Sequence, residues 1–544
     1  MGGHRGGGAL SVRLHRPDQL RDRQRGLTAH AGYGGGLEHL HDSPLGRRPL
    51  PVPRRGAVRR TLAGGSGADH SVGRARRRPH LDLRRLAGGT RRRRAVAVRA
   101  LFRGLFGLIL RVFFRRIEVS GAERVPRSGP VIFVLNHPSG LIDPAFLLCL
   151  APRRVSLLAK APLFRMPVIG FFCRAFEAIP VHRRQDAGSD PSQNRETFDT
   201  ARAVLARGGA IAIFPEGASH SDPKLRPLKT GAARIAFGAA GALAEASPIQ
   251  IVPAGLYYRA KRTFRSAALL YFGEPFTVEP VALEPGEEPP AGPVRALTAR
   301  IEQALAAVTL QAEQAEAHAL VDRAHRIVSA QDDAPAGPPS LVDEFALRRR
   351  LLAGYDVVRS QWPERFAALA TRIDRYEAAL SAAGLDPRQL APGRFTLGRV
   401  TSYVGKAVLV LLLLLPAALV GVVVHYPAYR AVGFVATGMA KGAEDALASI
   451  KVLAAMLLFP LTWTGLGAAV WLWRGVQAGV LAFALAPLTA YAALVFFERL
   501  DRIIGGARAL SLFVFRRWAF LRLVAERHAI REEIVALGRG VETS

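Results

Sequence analysis

The sequence predicts an α/β domain, then a helical region, then a C-terminal set of transmembrane helices. Three observations carry this. Between residues 121 and 276, short β-rich apolar runs alternate with helical patterns, as in an α/β domain. Residues 294–332 and 340–385 read as polar-rich helices, split by "DDAPAGPP". Beyond residue 400, segments 406–424, 452–473 and 476–497 are almost wholly apolar, and the last two are each long enough to cross about 30 Å of hydrocarbon.

The chain opens differently. Residues 1–94 carry 22 arginines, no lysine and 6 acids, about half of the net charge of +32. Gly, Pro and Arg dominate there and no period of 2 or 3.6 is visible, so burial cannot offset chain entropy. This stretch reads as a disordered extension: either a basic arm, or a GC-rich upstream stretch translated from a start assigned too early. Few aromatics interleave with its arginines, which speaks against single-strand binding, and no nucleic-acid partner is expected. No apolar secretory segment opens the chain, so no cleaved signal peptide is expected. Elsewhere the positive charge suits anionic headgroups or phosphorylated substrates.

Order begins near residue 96. "ALFRGLFGLILRVFFRR", 100–116, reads as an apolar helix edged by arginines, too short and too charged to span. It suits a helix lying in the membrane interface with Arg115 and Arg116 at headgroup level; the alternative is a core helix. "PVIFVLN", "RVSLLAK", "FEAIPV", "AIAIFPEG", "IQIVPAGLYY" and "AALLYFGEPF" then read as buried strands, with helices "DPAFLLCLA", "SQNRETFDTARAVLARG" and "TGAARIAFGAAGALAEA" between them. The two cysteines, Cys149 and Cys173, permit no disulfide framework or Cys-rich zinc site and read as buried small hydrophobes in a reducing compartment. "EPGEEPPAGP", 284–293, is a linker.

Only Arg474-Gly475 separates the last two apolar segments, which predicts a tight hairpin. Basic flanks on both sides favour an even number of crossings, with residues 406–440 folding in and back near Pro427 and "KGAEDALASIK" left on the cytoplasmic side. Residues 506–541 read as a basic amphipathic helix on the membrane surface.

Chemistry-bearing residues gather after strand ends. Asn136-His137 stops the run Val131–Leu135, where α/β sheets place ligands. Asp143-Pro144 reads as the cap and first position of a helix; Asp143 could instead hold the His137 imidazole so that its other nitrogen accepts a proton. Phe214-Pro215-Glu216-Gly217 ends another strand, where Glu216 could orient a substrate hydroxyl or be the exposed acid of a tight turn. Arg183 follows a third strand end and offers a planar fork to a phosphate. Lys229 precedes Gly231 at a helix start, where free N–H groups attract anions, and Lys160 closes the run "RVSLLAK". His137, His182 and His220 lack ligand-like spacing, so no metal is implied.

These blocks resemble the four motifs of the phospholipid/glycerol acyltransferase family. Asn136-His137 through Asp143-Pro144 resembles its His–Asp block, Ile179-Pro180-Val181-His182-Arg183 the second, whose arginine is implicated in glycerol-phosphate binding, Phe214-Pro215-Glu216-Gly217 with Ser219 the third, and Ile251-Val252-Pro253-Ala254-Gly255 the fourth. One departure stands out: five residues, not the commoner four, lie between His137 and Asp143. On one continuous helix that spacing would put the two side chains on different faces. The extra residue must be absorbed before the helix, with Gly140 free to take φ > 0. The longer spacing, and a "KG-E-D---ASIKV"-like segment at 441–452, resemble the branch of fungal glycerol-3-phosphate/dihydroxyacetone-phosphate sn-1 acyltransferases.

The resemblance implies an α/β acyltransferase domain over 95–283, a mixed sheet flanked by helices. A linker and helical region (284–400), transmembrane helices (401–500) and a basic amphipathic C-terminal helix (501–544) follow. It implies an integral membrane enzyme, its catalytic domain on the cytoplasmic face, that passes a fatty acyl group from a thioester of coenzyme A or acyl carrier protein to glycerol-3-phosphate, or alternatively to lysophosphatidate. His137 and Asp143 are the expected catalytic pair; Arg183, Glu216, Gly217, Ser219, Lys229 and Lys160 are the expected substrate-binding residues. No cofactor and no acyl-enzyme are expected, since no nucleophile elbow is visible. A channel or transporter built on 406–497 is the rival from another class, weakened by the lack of intramembrane ionisable residues along a pathway.

Overall fold

The computed structural model describes residues 83–182, 194–241, 248–261, 263–283, 287–330, 340–387, 390, 397–440 and 444–543. Most of the expected extension therefore lies outside the described residues. The first described helix, α1 (Leu83–Phe113), nonetheless starts before the boundary expected at residue 94. It also ends sooner than expected. Phe114–Ser120 is strand β1, paired with a later strand through a register shift at Arg115, so Arg115 and Arg116 belong to the sheet and not to a helix end. Arg116 pairs with Glu118 beside it.

The remaining sheet strands are β2 (Val131–Leu135), β3 (Ser156–Lys160), β4 (Ile179–Val181), β5 (Ala210–Ile213), β6 (Gln250–Tyr258), β7 (Ser266–Phe272) and β8 (Phe276–Thr277). Among the described residues they form one mixed sheet in the order β1-β7-β6-β2-β5-β3-β4, with β8 beside β6. β6, β2, β5, β3 and β4 run parallel, and β7 is antiparallel to β6. The C-terminal ends of five strands thus face one edge of the sheet.

β2 sits at the centre because it is apolar on both faces. Val131, Phe133 and Leu135 pack into one core with Phe113, Phe114, Phe146 and Leu147; Ile132 and Val134 pack into the other with Ile211, Ala233, Ile235 and Ile301. All five β2 side chains are fully buried. An alternation of period 2 with no polar face marks a strand covered by helices on both sides. The covering helices are α1, α2 (Ile142–Leu150) and α3 (Pro167–Ala175), then α4 (Asn194–Ala206), α5 (Gly231–Ala240) and α6 (Ala291–Ala307). On α1, Leu110 and Phe113 face the core, while Leu101, Leu105, Leu108 and Val112 form an exposed stripe at helical spacing.

Among the described residues four further helices pack on one another, α7 (Ala315–Ser329), α8 (Leu341–Gln361), α9 (Pro363–Ala383) and the C-terminal α13 (Arg517–Thr543), and α8 joins them to the sheet at β7 and β1. The apolar stripe of α13 was expected to lie on a membrane. Instead Phe520, Val524, Ile530 and Leu537 are buried with Ile373, Tyr376 and Leu380 of α9. Arg372 reinforces this packing, reaching Glu526 at 3.0 Å and Glu533 at 2.7 Å.

Among the described residues three helices are long and apolar enough to cross a membrane, in α10 (Leu397–Ala440), α11 (Glu444–Arg474) and α12 (Val476–Phe515). The hairpin turns at Gly475, as expected. The break expected near Pro427 is absent: α10 runs continuously through Pro416 and Pro427. A proline inside a helix removes one hydrogen bond, and close neighbours hold the axis together. Gly421 lies tight against the Thr489 backbone of α12, and His425 accepts a hydrogen bond from Trp463 Nε1 of α11 at 2.9 Å. The open end of the α11–α12 hairpin lies against the α/β domain, where Glu498 pairs with Arg265 at 2.7 Å.

Candidate active site

Where β2 ends, Asn136 locks the chain to β6: its Nδ2 donates to the Leu256 carbonyl at 3.1 Å and its Oδ1 accepts the Leu256 N–H at 2.8 Å. The next residue, His137, is thereby delivered beyond the strand's C-terminal end. A short turn follows. Gly140 has φ +47°, the conformation that absorbing the extra residue demands.

Helix α2 begins at Ile142, not at Pro144, so Asp143 is not its cap; the residue before the helix is Leu141, which makes no side-chain cap bond. Pro144 is tolerated one position later because first-turn N–H groups have no intrahelical partner. Asp143, freed from capping, turns back under the loop and is fully buried. Its Oδ2 accepts His137 Nδ1–H at 2.8 Å and the Ser139 N–H at 2.7 Å. Its Oδ1 accepts the Tyr258 hydroxyl at 2.7 Å. Burial, with the Asp143 carboxylate beside it, pushes the Tyr258 phenol well above its usual range, so Tyr258 remains a donor.

With Nδ1 donating to Asp143, the His137 Nε2 carries the free lone pair. Nε2 has no protein partner among the described residues, and the side chain is 18% exposed. The ring stacks on Phe214, centroids 4.2 Å apart and planes at 21°.

The end of β5 supplies the second half. Gly217, at φ +77°, closes the turn by donating its N–H to the Phe214 carbonyl at 3.0 Å. Glu216 was expected to reach a substrate hydroxyl. It is instead buried and turned inward. Its Oε1 accepts the His137 backbone N–H at 3.0 Å, and its Oε2 accepts the Arg226 N–H at 3.1 Å and the Nε2–H of His220. The His220 tautomer follows from its other nitrogen, which accepts the Asp222 N–H at 3.2 Å. The His220 N–H in turn donates to the His137 carbonyl at 3.1 Å. Glu216 and His220 therefore brace the backbone on both sides of His137.

Lys229 is exposed, and its N–H donates to the Pro215 carbonyl at 2.7 Å. Its aliphatic stem passes beside Gly217, so the two expected substrate-binding residues are neighbours next to the N-terminus of α5. Ser219 is half-buried on the same loop. Lys160 is exposed at the end of β3, in register with Val181 of β4. Arg183 lies outside the described residues; the described chain reaches His182, whose N–H and carbonyl are both held by the Asn194 side chain. Ile251–Gly255, the fourth block, forms the buried interior of β6 beside β2.

Three polar partners went unread in the sequence. Tyr258 ends the fourth-block strand, and a phenol at a strand end facing the site was the available signal. Lys261 Nζ donates to the Pro138 carbonyl at 3.1 Å and Ser221 Oγ at 2.6 Å, placing a cation beside the His137 turn. His220 was visible only as a histidine without metal-ligand spacing.

The acyltransferase family model matches residues 116–257, and the model for the glycerol-3-phosphate acyltransferase 2 C-terminal domain matches residues 336–539. The chain is 25% identical to an uncharacterized acyltransferase of Schizosaccharomyces pombe, covering 66% of each chain. It is 26% identical to glycerol-3-phosphate O-acyltransferase 1 of Saccharomyces cerevisiae over 65% of this chain and 58% of the relative. It is 32% identical to glycerol-3-phosphate O-acyltransferase 2 of the same yeast, over 36% of this chain and 26% of that one. The chain thus spans two thirds or less of the length of these relatives. Residues 116–257 thus match the acyltransferase family, and residues 336–539 match the C-terminal domain of glycerol-3-phosphate acyltransferase 2, one over the α/β domain and the other over the helices that follow.

Proposed function

We propose that this protein transfers a fatty acyl group from a thioester, of coenzyme A or acyl carrier protein, to the sn-1 hydroxyl of glycerol-3-phosphate. The observation that carries the proposal is the His137 Nδ1–Asp143 Oδ2 hydrogen bond of 2.8 Å, which leaves Nε2 open. Nε2 takes the proton of the acceptor hydroxyl as its oxygen attacks the thioester carbonyl carbon. Asp143 stabilises the imidazolium, and His137 then protonates the departing thiolate as the C–S bond breaks. General-base help of this kind contributes about 10²–10⁴ in rate. Arg183, Lys229 and Lys160 carry the phosphate. Glycerol-3-phosphate is favoured over lysophosphatidate by the C-terminal match at 336–539 and by the names of the yeast relatives.

The protein works at a bilayer, with its α/β domain on the cytoplasmic side. Beyond the three long apolar helices, the exposed α1 stripe, the exposed Met166 before α3 and the exposed Val168 and Phe171 on α3 support a seat on lipid.

The test is a side-by-side assay of purified protein with labelled acyl thioester and glycerol-3-phosphate, dihydroxyacetone phosphate or lysophosphatidate. Glycerol-3-phosphate should be the preferred acceptor, acylated at sn-1. No transfer to any acceptor, or transfer that survives His137→Ala, overturns the proposal.

A further inference from the structure

Nothing in the proposed chemistry uses the membrane helices, yet one of them touches the catalytic turn. Ser449, near the start of α11, is buried. Its Oγ accepts the Leu141 N–H at 3.0 Å and donates to the Ser139 carbonyl at 3.1 Å. A hydroxyl inside a helix commonly returns to its own backbone one turn back. Farther along α11, Thr462 does so to the Leu458 carbonyl at 2.8 Å and Thr464 to the Pro460 carbonyl at 3.0 Å. Ser449 instead commits its donor and an acceptor site to a loop more than 300 residues earlier in the chain.

The two groups it holds flank Gly140, the residue at φ +47°. The same Ser139 whose carbonyl it holds donates its N–H to Asp143 Oδ2 at 2.7 Å. A short chain of hydrogen bonds therefore runs from α11 through the turn to Asp143 and on to the imidazole. The turn carries the extra residue between His137 and Asp143, so its own geometry fixes it less than a shorter connection would.

We infer that Ser449 is a positioning residue for acyl transfer: through the Ser139–Leu141 turn, helix α11 sets Asp143 against His137. Ser449 touches no substrate and acts only through that turn. The inference rests on the proposed acyl transfer. It makes a membrane helix part of what aligns the catalytic pair, so detaching α11 from the α/β domain would slow the chemical step without altering either substrate's site.

The test measures kcat and both KM values for the full chain in detergent, with His137→Ala as the blank. Ser449→Ala should lower kcat about tenfold to a hundredfold, the scale of a small misplacement of reacting groups, while both KM values stay within about twofold of the native protein. Ser449→Cys, close in shape but with a weakly hydrogen-bonding sulfur, should behave like Ala. Ser449→Thr keeps the hydroxyl, and its extra methyl can enter the apolar pocket beside Ser449 between Phe106, Ile142, Val452 and Met456. It should hold kcat within about threefold of native. A role in packing alone would not restore kcat with the hydroxyl. Native kcat in both Ala and Cys variants, equal losses in Thr and Ala, or losses confined to KM would overturn the inference. An inactive native chain would overturn the acyl-transfer reading itself; an active native chain with an indifferent Ser449 overturns only this step.

Discussion

Glu216 Oε1 accepts the backbone N–H of His137 at 3.0 Å, joining the ends of two neighbouring strands, while its other oxygen holds His220 and Arg226. A carboxylate used in this way fixes the backbone of the proposed base, and both of its oxygens are taken by protein N–H groups. Glu216→Gln keeps the volume, but its NH₂ group must face at least one N–H that the carboxylate accepted. Facing donors left unpaired in a buried site cost about 1–3 kcal/mol. The variant should therefore melt at a lower temperature and lose about 10–100-fold in kcat, with the acceptor KM moving less than about threefold. A large rise in acceptor KM at unchanged kcat would instead return Glu216 to the role of orienting the substrate hydroxyl.

His137→Ala removes the group with the open lone pair and should lower turnover at least about 100-fold. Asp143→Asn is the finer probe. Its oxygen can still accept from His137 and Ser139, and its NH₂ can donate to the Tyr258 oxygen, so the fold should survive by circular dichroism. The charge that stabilises the imidazolium is gone, and kcat should fall about 10²–10⁴-fold. Retained turnover in Asp143→Asn would reduce the residue to a structural tie of the turn.

Much of this arrangement was legible along the chain, and the exceptions have physical causes. β2, β3, β4, β5, β6 and β7 were readable because each apolar run ends at a residue that breaks pairing or changes polarity. β1 was not: the apolar helix runs into Phe114 with no Gly or Pro between, and a one-dimensional pattern cannot mark the switch of period. His137 and Asp143 were readable because they lie six positions apart. Tyr258 and Ser449 reach the same turn from 115 and about 310 residues away, and only the closed sheet and the packed α11 reveal them. Pro427 misled because a proline breaks an isolated helix more readily than one packed between two others. The stripe of α13 was correctly amphipathic, but periodicity cannot say whether lipid or protein covers it.

Burial also sorts the two cysteines. Cys149 is buried with its Sγ 3.6 Å from the Arg103 carbonyl, and burial pushes its thiol up to about 11. At pH 8 only about one such thiol in a thousand is thiolate, the reactive form. Cys173 is only half-buried, a difference from the expectation that both are buried, and its thiol is raised as well. Maleimide at pH 8 should label Cys173 first and Cys149 only after unfolding, read by mass spectrometry of the two peptides. Rapid labelling of Cys149 in the folded protein would contradict the packing of α1 on α2.

Tyr258 ties stability and alignment together. Its phenol is held well above the ordinary value, so the folded state keeps that proton where the unfolded chain releases it. For a group raised on folding, the stabilisation is complete below the unfolded value and is lost as pH climbs beyond it. The native protein should therefore lose stability above about pH 10. Tyr257 is raised too, chiefly by burial, and adds to the same slope. Tyr258→Phe removes one of these contributions and leaves those of Tyr257 and of Tyr376, which burial raises as well. Its melting temperature should fall less steeply between about pH 9.5 and 10.5 than that of the native protein, although at pH 7 the variant should be less stable by the cost of one hydrogen bond to Asp143, about 1–3 kcal/mol. With Asp143 Oδ1 left bare, kcat should drop about fivefold to tenfold at unchanged acceptor KM. A melting profile that tracks the native one at every pH, with full turnover, would mean that the Tyr258–Asp143 contact neither holds the proton nor aligns the pair.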